Sequence, residues 1–216
     1  MIARHAEHTF DLDAIAPGEW VLDIGCRGFE IPKLLASRGI NVIAIDGDPS
    51  VVPPENPFIH YTNAVVVHRE LAANKRLTFW IHPTDKQAHS LIGNQGTPIQ
   101  VQTLSIDDCL EAASLAGGKD VASFALIKMD CEGAEYALMR DIVDAAYAGQ
   151  FWAKQISVEY HDHCGKNPEA DMDAWYSRLH ARSDQFYKRV KFERERPPWG
   201  GSPHYVDCLY QRVGTD

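Results

Sequence analysis

The stretch at residues 126–142 (LIKMDCEGAEYALMRDI) constrains the fold more than any other part of this chain. An apolar run over residues 124–127 leads through Lys128, Met129 and Asp130 into a corner at residues 131–133 (CEG). After the corner, apolar residues recur at helical spacing until a glycine at position 149 ends the pattern. The stretch therefore predicts a buried strand, a tight acidic turn and a helix that packs back onto a sheet.

Two polar residues interrupt this strand near its carboxyl end. A strand covered on both faces is normally apolar throughout, yet Lys128 and Asp130 lie on the same side of it. Glu132 and Glu135 could simply favour the helix N-terminus electrostatically, with Lys128 paired to one of them. That explanation does not account for Asp130 and Glu132 together at the mouth of a sheet, where ligands bind in open α/β folds. The corner is therefore a candidate functional site.

A second pattern lies nearer the N-terminus. Residues 19–25 (EWVLDIG) form a short apolar run closed by Asp23 and Gly25, and a glycine turn then leads into a helix that ends near residue 39. Residues 41–46 (NVIAID) form a second apolar run that ends in Asp46. A strand, glycine turn, helix and strand with a terminal acid about 20 residues on is the dinucleotide-type βαβ pattern. Glycines let the backbone approach a ligand, and Asp46 could accept hydrogen bonds from both ribose hydroxyls.

The remaining elements complete an α/β pattern. Residues 1–18 predict an entry helix or arm ahead of a single domain at 19–216, and the polar residues 83–97 predict a loop that could cover a site. The predicted strands are 59–67 and 76–82, which we expect to pair like a hairpin, an edge strand at 99–104, a strand at 155–160, and strands 189–196 and 205–213; the predicted helices are 107–116 and 171–186. Together they predict a Rossmann-like, doubly wound, mostly parallel seven-stranded sheet that ends in an antiparallel hairpin.

Composition narrows the class of protein. A formal net charge of −9 argues against a large nucleic-acid-binding surface. No segment approaches the roughly 18 consecutive apolar residues of a membrane span, and the N-terminus has no signal-peptide core. The cysteines are scattered and lack CxxC spacing, which favours free thiols in a reducing compartment, so we expect a cytoplasmic protein. They are Cys26, Cys109, Cys131, Cys164 and Cys208.

These motifs, in this order, resemble class I S-adenosylmethionine-dependent methyltransferases, and more narrowly the FkbM family. The resemblance covers nearly all of residues 20–212. Its most distinctive part is residues 127–135 (IKMDCEGAE). The other matching segments are residues 21–25 (VLDIG), 42–49 (VIAIDGDP), 63–65 (NAV), 89–91 (HSL), 102–108 (QTLSIDD, with Ser105 where an acid is usual) and 158–161 (VEYH).

The resemblance implies that S-adenosylmethionine is the cofactor. Asp23 and Gly25 would position its methionine part and Asp46 its ribose, while Asp48 could be either a ligand or a turn residue. Asn63 and Ala64 could flank the adenine, although Asn63 could equally be an ordinary strand-end residue. The full set of candidate cofactor residues is Asp23, Gly25, Cys26, Gly28, Asp46, Gly47, Asp48, Asn63, Ala64 and Asp130.

One departure from the family pattern concerns the first glycine turn. The family usually separates these glycines by three residues, whereas Gly25 and Gly28 enclose only two. Against the general GxGxG pattern, Arg27 and Phe29 occupy glycine positions. We therefore expect the turn to differ locally, and tight cofactor binding does not follow from this motif alone.

The resemblance also implies methyl transfer to a hydroxyl, which requires alignment of the acceptor and a route for its proton. Asp130, Glu132, Glu159 and His161 should gather at adjacent strand ends, and we take them as the candidate catalytic residues. His161 with a near-neutral pKa is a plausible base, or it is a rim residue that only donates hydrogen bonds. The carboxylates could alternatively hold a divalent cation. Residues 161–164 (HDHC) could also suggest a zinc site. This indication is weaker, because adjacent residues at a strand end point to opposite faces and would not share one ion.

We expect O-methylation of a small molecule or glycan, with no membrane partner. One alternative is an RNA or protein methyltransferase, although the acidic net charge disfavours RNA and no NPPY-like element for amino methylation follows Asp130. The other is a non-catalytic domain that keeps the fold and serves as a scaffold, an alternative best supported by the altered turn between Gly25 and Gly28. The sequence leaves the acceptor, the oligomeric state and the use of a metal open.

Overall fold

The computed structural model describes residues 1–6, 8–83, 91, 96–161, 172–183, 185–195 and 205–214. The strands in these residues are β1 (Ile2–His5), β2 (His8–Asp11), β3 (Trp20–Ile24), β4 (Asn41–Asp46), β5 (Ile59–Asn63), β6 (Val65–Val66), β7 (Arg76–Ile81), β8 (Thr97–Leu104), β9 (Phe124–Met129), β10 (Ala153–His161), β11 (Tyr187–Glu195) and β12 (Tyr205–Arg212). The α-helices are α1 (Glu30–Ala36), α2 (Arg69–Ala72), α3 (Ile106–Gly117), α4 (Glu135–Tyr147) and α5 (Met172–Ser183), and a short 3-10 helix spans Leu12–Ala14.

A seven-stranded sheet runs through the centre in the order β11-β12-β10-β9-β3-β4-β5. The strands from β10 to β5 pair in parallel, whereas β12 is antiparallel to both β10 and β11. The predicted α/β architecture, including the C-terminal antiparallel hairpin, is confirmed. The carboxyl ends of β9, β3 and β4 are adjacent, so the acidic corner and the glycine turn meet at one edge of the sheet.

Both faces of this sheet are covered. Leu22 packs in one cluster with Leu138 of α4, and its neighbour Val21 packs in another cluster with Leu35 of α1. Successive side chains of a strand point to opposite faces, so the central strands need apolar residues at every position. This explains why β3 and β9 are apolar except for Asp23 and Lys128, which pair with each other.

The pairing of the middle strands differs from the prediction. The predicted strand at 59–67 divides at Ala64, whose N–H donates to the Asp46 carbonyl at 3.1 Å. Val65 then pairs in parallel with Thr103 in a separate three-stranded sheet of order β6-β8-β7. Strand β7 pairs with β8 and not with the third strand, and β8 is the central strand of this small sheet and not an edge strand. Alternation in a sequence indicates which residues share a face, but it does not specify the neighbouring strand.

The first residues form an antiparallel hairpin of β1 and β2, where the sequence suggested a helix or an arm. The hairpin lies against β10 and β12. Thr9 Oγ1 donates to Asp207 Oδ2 at 2.7 Å, the Asp11 N–H donates to Gln155 Oε1 at 2.9 Å, and Gln155 Nε2 donates to the Asp11 carbonyl at 3.0 Å. Whether residues 1–18 form a unit apart from residues 19–216 stays a prediction.

Helix α5 carries a buried histidine, His180, in the C-terminal half of the molecule. Its ring lies within hydrogen-bond distance of the Tyr210 hydroxyl and of the Arg189 guanidinium. Burial, and then the charge of Arg189, lower the pKa of His180 to about 3. This imidazole is therefore neutral at physiological pH.

Several sequence-based expectations fall partly outside the described residues. They are most of the covering loop at 83–97, the first two residues of the HSL motif at 89–91, and residues 162–164 of the HDHC segment. Cys26, Cys109, Cys131 and Cys208 are free thiols, as predicted, and Cys164 is also outside the described residues. No helix of the described part is long and apolar enough to cross a membrane.

Candidate active site

The corner after β9 has a backbone shape that few side chains adopt. Glu132 has a φ of 53° and Gly133 a φ of 104°, both in the left-handed region. Glu135, which is fully buried, holds the corner in place because its carboxylate accepts hydrogen bonds from Cys131 N–H at 3.0 Å and from Gly133 N–H at 2.7 Å. Glu135 lies in the first turn of α4, and its carboxylate bonds to the corner that precedes the helix.

Lys128 lies beneath the site. Its buried Nζ is 3.1 Å from Asp23 Oδ1 and 3.9 Å from Asp130 Oδ2, and it donates to the Gly25 carbonyl at 2.8 Å. The suggested pairing of Lys128 with one of the corner glutamates is therefore wrong. Asp23, only 1% exposed, serves as its partner, so the ammonium ties the glycine turn to the end of β9.

His161 connects the corner to the end of the neighbouring strand β10. Its Nδ1 donates to Glu135 Oε1 at 2.8 Å, which fixes the orientation of the ring. Its Nε2 lies 3.6 Å from Asp130 Oδ1, 3.6 Å from Glu132 Oε1 and 3.6 Å from Glu159 Oε1. The structure thus brings together all four side chains that the sequence placed at adjacent strand ends.

Electrostatics set the protonation of this cluster. Burial opposes the charge on His161, but the carboxylates of Glu135, Glu132 and Asp130 outweigh it and raise its pKa to about 10. Burial also opposes ionisation of Asp130, and Lys128, followed by His8 and His161, holds the pKa of that carboxyl well below its usual range. At neutral pH the cluster therefore contains an imidazolium, not the near-neutral base considered from the sequence.

His8, from the N-terminal hairpin, also reaches this cluster. Its side chain is 4% exposed, and Nε2 lies 3.4 Å from Asp130 Oδ2 and 3.9 Å from Glu159 Oε2. Sequence reasoning missed His8 because nothing in residues 1–18 shows that the hairpin folds against β10. It also missed the contact of Glu135 with His161, since an acid in the first turn of a helix is common. Among the described residues, two groups could hold a metal ion: His8, Asp130 and Glu159, and Asp130, Glu132 and His161.

The glycine turn packs directly against the corner. Gly25 has a φ of 80°, and a Cβ built on it would lie 1.8 Å from the Asp130 carbonyl oxygen, so no other residue fits without movement. Phe29, at one of the expected glycine positions, has a φ of 57° and a buried ring, and it precedes α1. Cys26 is buried as well, and burial raises the pKa of its thiol. Gly28 is less constrained, because an added Cβ would meet only the flexible Glu30 carboxylate.

The end of β4 carries the other candidate cofactor residues. Asp46 Oδ1 accepts a hydrogen bond from Asp48 N–H at 2.9 Å, and burial raises the pKa of the Asp46 carboxyl. Asp48 is buried, accepts from Ser50 N–H at 2.8 Å and pairs with Arg27 at 2.9 Å, which favours the turn role for it. Asn63 donates to the Asp46 carbonyl at 2.9 Å.

Two of the candidate cofactor residues, Ala64 and Gly47, lie where the end of β4 meets the small sheet. Ala64 is fully buried, and a Cβ on Gly47 would lie 2.7 Å from Val65 Cγ1, so the small sheet packs closely here.

This edge of the sheet has the chemistry that a nucleoside needs. In the described part of the chain, the second carboxylate oxygen of Asp46 has no hydrogen-bond partner, so it can accept from a ribose hydroxyl. The backbone of the turn at Gly25 lies next to it, because Gly25 N–H donates to the Ile45 carbonyl at 2.9 Å. The residues therefore fit S-adenosylmethionine between the turn and the end of β4.

This chain is similar to proteins of known family and structure. The family model of the methyltransferase FkbM domain matches residues 32–186. Among solved structures, the methyltransferase FkbM from Methylobacillus flagellatus KT is 14% identical, with a TM-score of 0.50 over 91% of this chain and 44% of that chain. The present chain thus spans less than half the length of that protein. No curated protein sequence matches significantly.

Two further structures share the general arrangement at lower scores. A TehB-like SAM-dependent methyltransferase from Corynebacterium glutamicum is 11% identical, with a TM-score of 0.44 over 93% of this chain and 83% of that one. The fibrillarin of Aeropyrum pernix, in complex with natively bound S-adenosyl-L-methionine, is 8% identical, with a TM-score of 0.47 over 90% and 67%.

Proposed function

Because this chain belongs to the FkbM methyltransferase domain family, we propose that it transfers a methyl group from S-adenosylmethionine to a hydroxyl of a small molecule or glycan. The observation that carries the proposal is the convergence of Asp130, Glu132 and Glu159 on His161. This cluster lies beside the glycine turn, so a bound cofactor and an acceptor would meet there.

The chain offers separate groups for each part of the cofactor. Asp46 would hold the ribose, the backbone at Gly25 and Cys26 would follow the methionine part, and Asn63 with Ala64 would flank the adenine. When bound, S-adenosylmethionine supplies a methyl group on a positively charged sulfur, which is already a strong electrophile. The protein's task is therefore to place the acceptor and to remove its proton.

Side-chain exposure divides the cluster into two layers. Asp130 and Glu132 have side chains that are 32% and 16% exposed, while those of His161 and Glu159 are 4% and 10% exposed. An acceptor hydroxyl can thus reach Asp130 and Glu132 first. The Glu132 carboxylate would accept the hydrogen bond of this hydroxyl and take its proton as the methyl–oxygen bond forms and the methyl–sulfur bond breaks, which would leave S-adenosylhomocysteine. Asp130 would be the neighbouring carboxylate that orients the acceptor. His161 and Glu159 would position these two groups from behind.

One observation favours the non-catalytic alternative. Arg27 and Phe29 stand where glycines are usual, and Arg27 pairs with Asp48 across the turn. A domain that had lost cofactor binding could tolerate such side chains. Calorimetry with S-adenosylmethionine separates the two proposals, because the scaffold alternative expects no heat of binding.

Cofactor binding is tested first with Asp46→Ala. Charge-assisted hydrogen bonds are worth roughly 1.5–3 kcal/mol, so we expect affinity for S-adenosylmethionine to fall at least about tenfold. Asp120→Ala, which removes an exposed acid elsewhere, is the matched control. Equal dissociation constants for the two variants would reject the nucleoside site at Asp46.

Turnover is tested with Glu132→Gln and Asp130→Asn on a panel of hydroxyl acceptors, measured as release of S-adenosylhomocysteine. Loss of a proton acceptor or of an orienting carboxylate should lower turnover about 100-fold or more, with cofactor affinity changed far less. Near-normal turnover in both folded variants would remove the catalytic assignment and leave these residues as structural.

A further inference from the structure

The N-terminal hairpin brings an imidazole to the carboxylates at the ends of β9 and β10. We propose that His8, Asp130 and Glu159 bind a divalent transition-metal ion. This inference deepens the proposed function and rests on it in one respect, since the ion would lie beside the acceptor hydroxyl.

The separations of the donor atoms suit a shared ion. His8 Nε2 is 3.4 Å from Asp130 Oδ2 and 3.9 Å from Glu159 Oε2, and all three donor atoms lie within 4.8 Å of one another. Metal bonds to imidazole nitrogen and carboxylate oxygen are about 2.0–2.2 Å, so neighbouring ligands of one ion lie roughly 3–3.6 Å apart and opposite ones about 4.2 Å. The two separations from His8 Nε2 are thus close to those of ligands that share one ion.

His8 is held in this position by bonds that the residues following it in β2 make to the central sheet. The next residue, Thr9, donates to the buried Asp207, and Asp11 bonds to Gln155 of β10. The His8 side chain is 4% exposed, and its Nδ1 has no hydrogen-bond partner among the described residues. Nε2 is the ring nitrogen that lies against the two carboxylates, so it is the nitrogen that would bind the ion.

The two carboxylates are oriented by other contacts. Asp130 and Glu159 turn one oxygen toward His8 and the other toward His161, which lies 3.6 Å from each. The His161 side therefore holds one oxygen of each carboxylate, while the other oxygen of each faces His8; that of Asp130 also lies 3.9 Å from Lys128 Nζ. Glu132 lies on the His161 side, so metal binding at His8 leaves it available to the acceptor.

One nitrogen and two oxygen donors select among cations. Magnesium and calcium prefer oxygen ligands alone, whereas a site with an imidazole binds divalent transition-metal ions, with an affinity that rises from manganese through iron and cobalt. Three protein ligands leave positions for water or for the acceptor. An ion there would polarise the acceptor oxygen and lower the pKa of the hydroxyl, which assists proton removal.

The test is a titration of the full chain, first treated with chelator, with Mn²⁺ alone and without S-adenosylmethionine. Calorimetry and electron paramagnetic resonance would report the affinity and the number of bound ions. We expect binding of Mn²⁺ in preference to Mg²⁺, and a loss of at least about tenfold in affinity for His8→Gln and for Glu159→Gln. His5→Gln alters the same hairpin outside either donor group and should bind like the wild type.

Each outcome decides the matter. Absence of Mn²⁺ binding to the wild type, or equal affinity of the folded His8→Gln and His5→Gln variants, overturns the proposal. Should His8→Gln fail to fold by circular dichroism, Glu159→Gln supplies the comparison with His5→Gln. If Mn²⁺ binds but S-adenosylmethionine gives no heat of binding, the proposed function is rejected and the metal site is kept. If S-adenosylmethionine binds but Mn²⁺ does not, only the metal site is rejected.

Discussion

Replacing Glu135 with glutamine tests how the acidic corner is held together. Glu135 Oε1 accepts from Cys131 N–H at 3.0 Å and from His161 Nδ1 at 2.8 Å, and Oε2 accepts from Gly133 N–H at 2.7 Å. A glutamine can keep only one oxygen. Its best orientation keeps the oxygen on Cys131 and His161 and turns the amide nitrogen toward the Gly133 N–H, where two donors would face each other.

The magnitude follows from these contacts. An unsatisfied buried donor costs roughly 1–3 kcal/mol. The bond from the His161 imidazolium also loses the negative charge on its acceptor, which costs about 1 kcal/mol more. His161 keeps three further carboxylates within 3.6 Å, so its charge is not left uncompensated. We therefore expect Glu135→Gln to lower the free energy of unfolding by about 2–4 kcal/mol.

The assay is urea unfolding followed by tryptophan fluorescence, with circular dichroism to confirm the fold. Glu30→Gln is the matched control, because Glu30 is also an acid in the first turn of a helix but is exposed. Loss of the helix-dipole interaction alone costs about 1 kcal/mol or less, and this is what Glu30→Gln should show. Equal free energies of unfolding for the two variants would refute the argument and return Glu135 to an ordinary helix-terminal role.

Three other predictions concern neighbouring parts of the structure, and each is checked through the free energy of unfolding. Lys128→Met should lower the free energy of unfolding by roughly 3–5 kcal/mol, because it leaves the buried Asp23 without its cation. Adding Asp23→Asn should restore part of this loss, and a cost below about 1 kcal/mol for Lys128→Met would contradict the argument. Gly25→Ala should destabilise the fold and weaken cofactor binding, because the added Cβ would lie 1.8 Å from the Asp130 carbonyl oxygen. An unchanged free energy of unfolding and an unchanged affinity for S-adenosylmethionine by calorimetry would contradict this prediction. The pKa of His180 is lowered to about 3, so below about pH 6.5 the unfolded chain takes up a proton that the folded state excludes. The free energy of unfolding should therefore fall as the pH decreases, by up to about 2 kcal/mol at pH 5. The wild type should lose more stability than His180→Gln over this range, and parallel pH profiles of the two proteins would contradict the assignment.

The central sheet could be predicted because its signals are local. The strands at residues 20–24 and 124–129 are largely apolar and could be identified, and Asp23, Asp46 and Asp130 at or next to the ends of their strands mark the carboxyl edge. The small sheet of β6, β8 and β7 could not be predicted, since its partners are far apart in sequence and its strands alternate in the ordinary way. A break at one residue, Ala64, redirected the chain, and the single Asn63 before it is too weak a signal to predict that break.

The same distinction applies to the site. Asp130, Glu132, Glu159 and His161 follow from two parallel strands that end side by side, so topology alone brings them together. His8 depends on the docking of a hairpin whose strands have four residues each, too few for a clear period. Its position rests on bonds such as that from Thr9 to Asp207, between residues that are 198 positions apart in the chain.

Glu132 shows where the fold and the site impose different requirements on one position. Its φ of 53° would suit glycine, and an L side chain in this region costs roughly 1–2 kcal/mol. The next residue is already a glycine, so the corner has the flexibility to turn without a second strained position. The glutamate at this position contributes a carboxylate 3.6 Å from His161 Nε2, in a cluster that already contains other acids. The strain does not stabilise the fold, and three other carboxylates already surround the charge on His161. For this reason we propose that the identity of Glu132 serves the chemistry of the site.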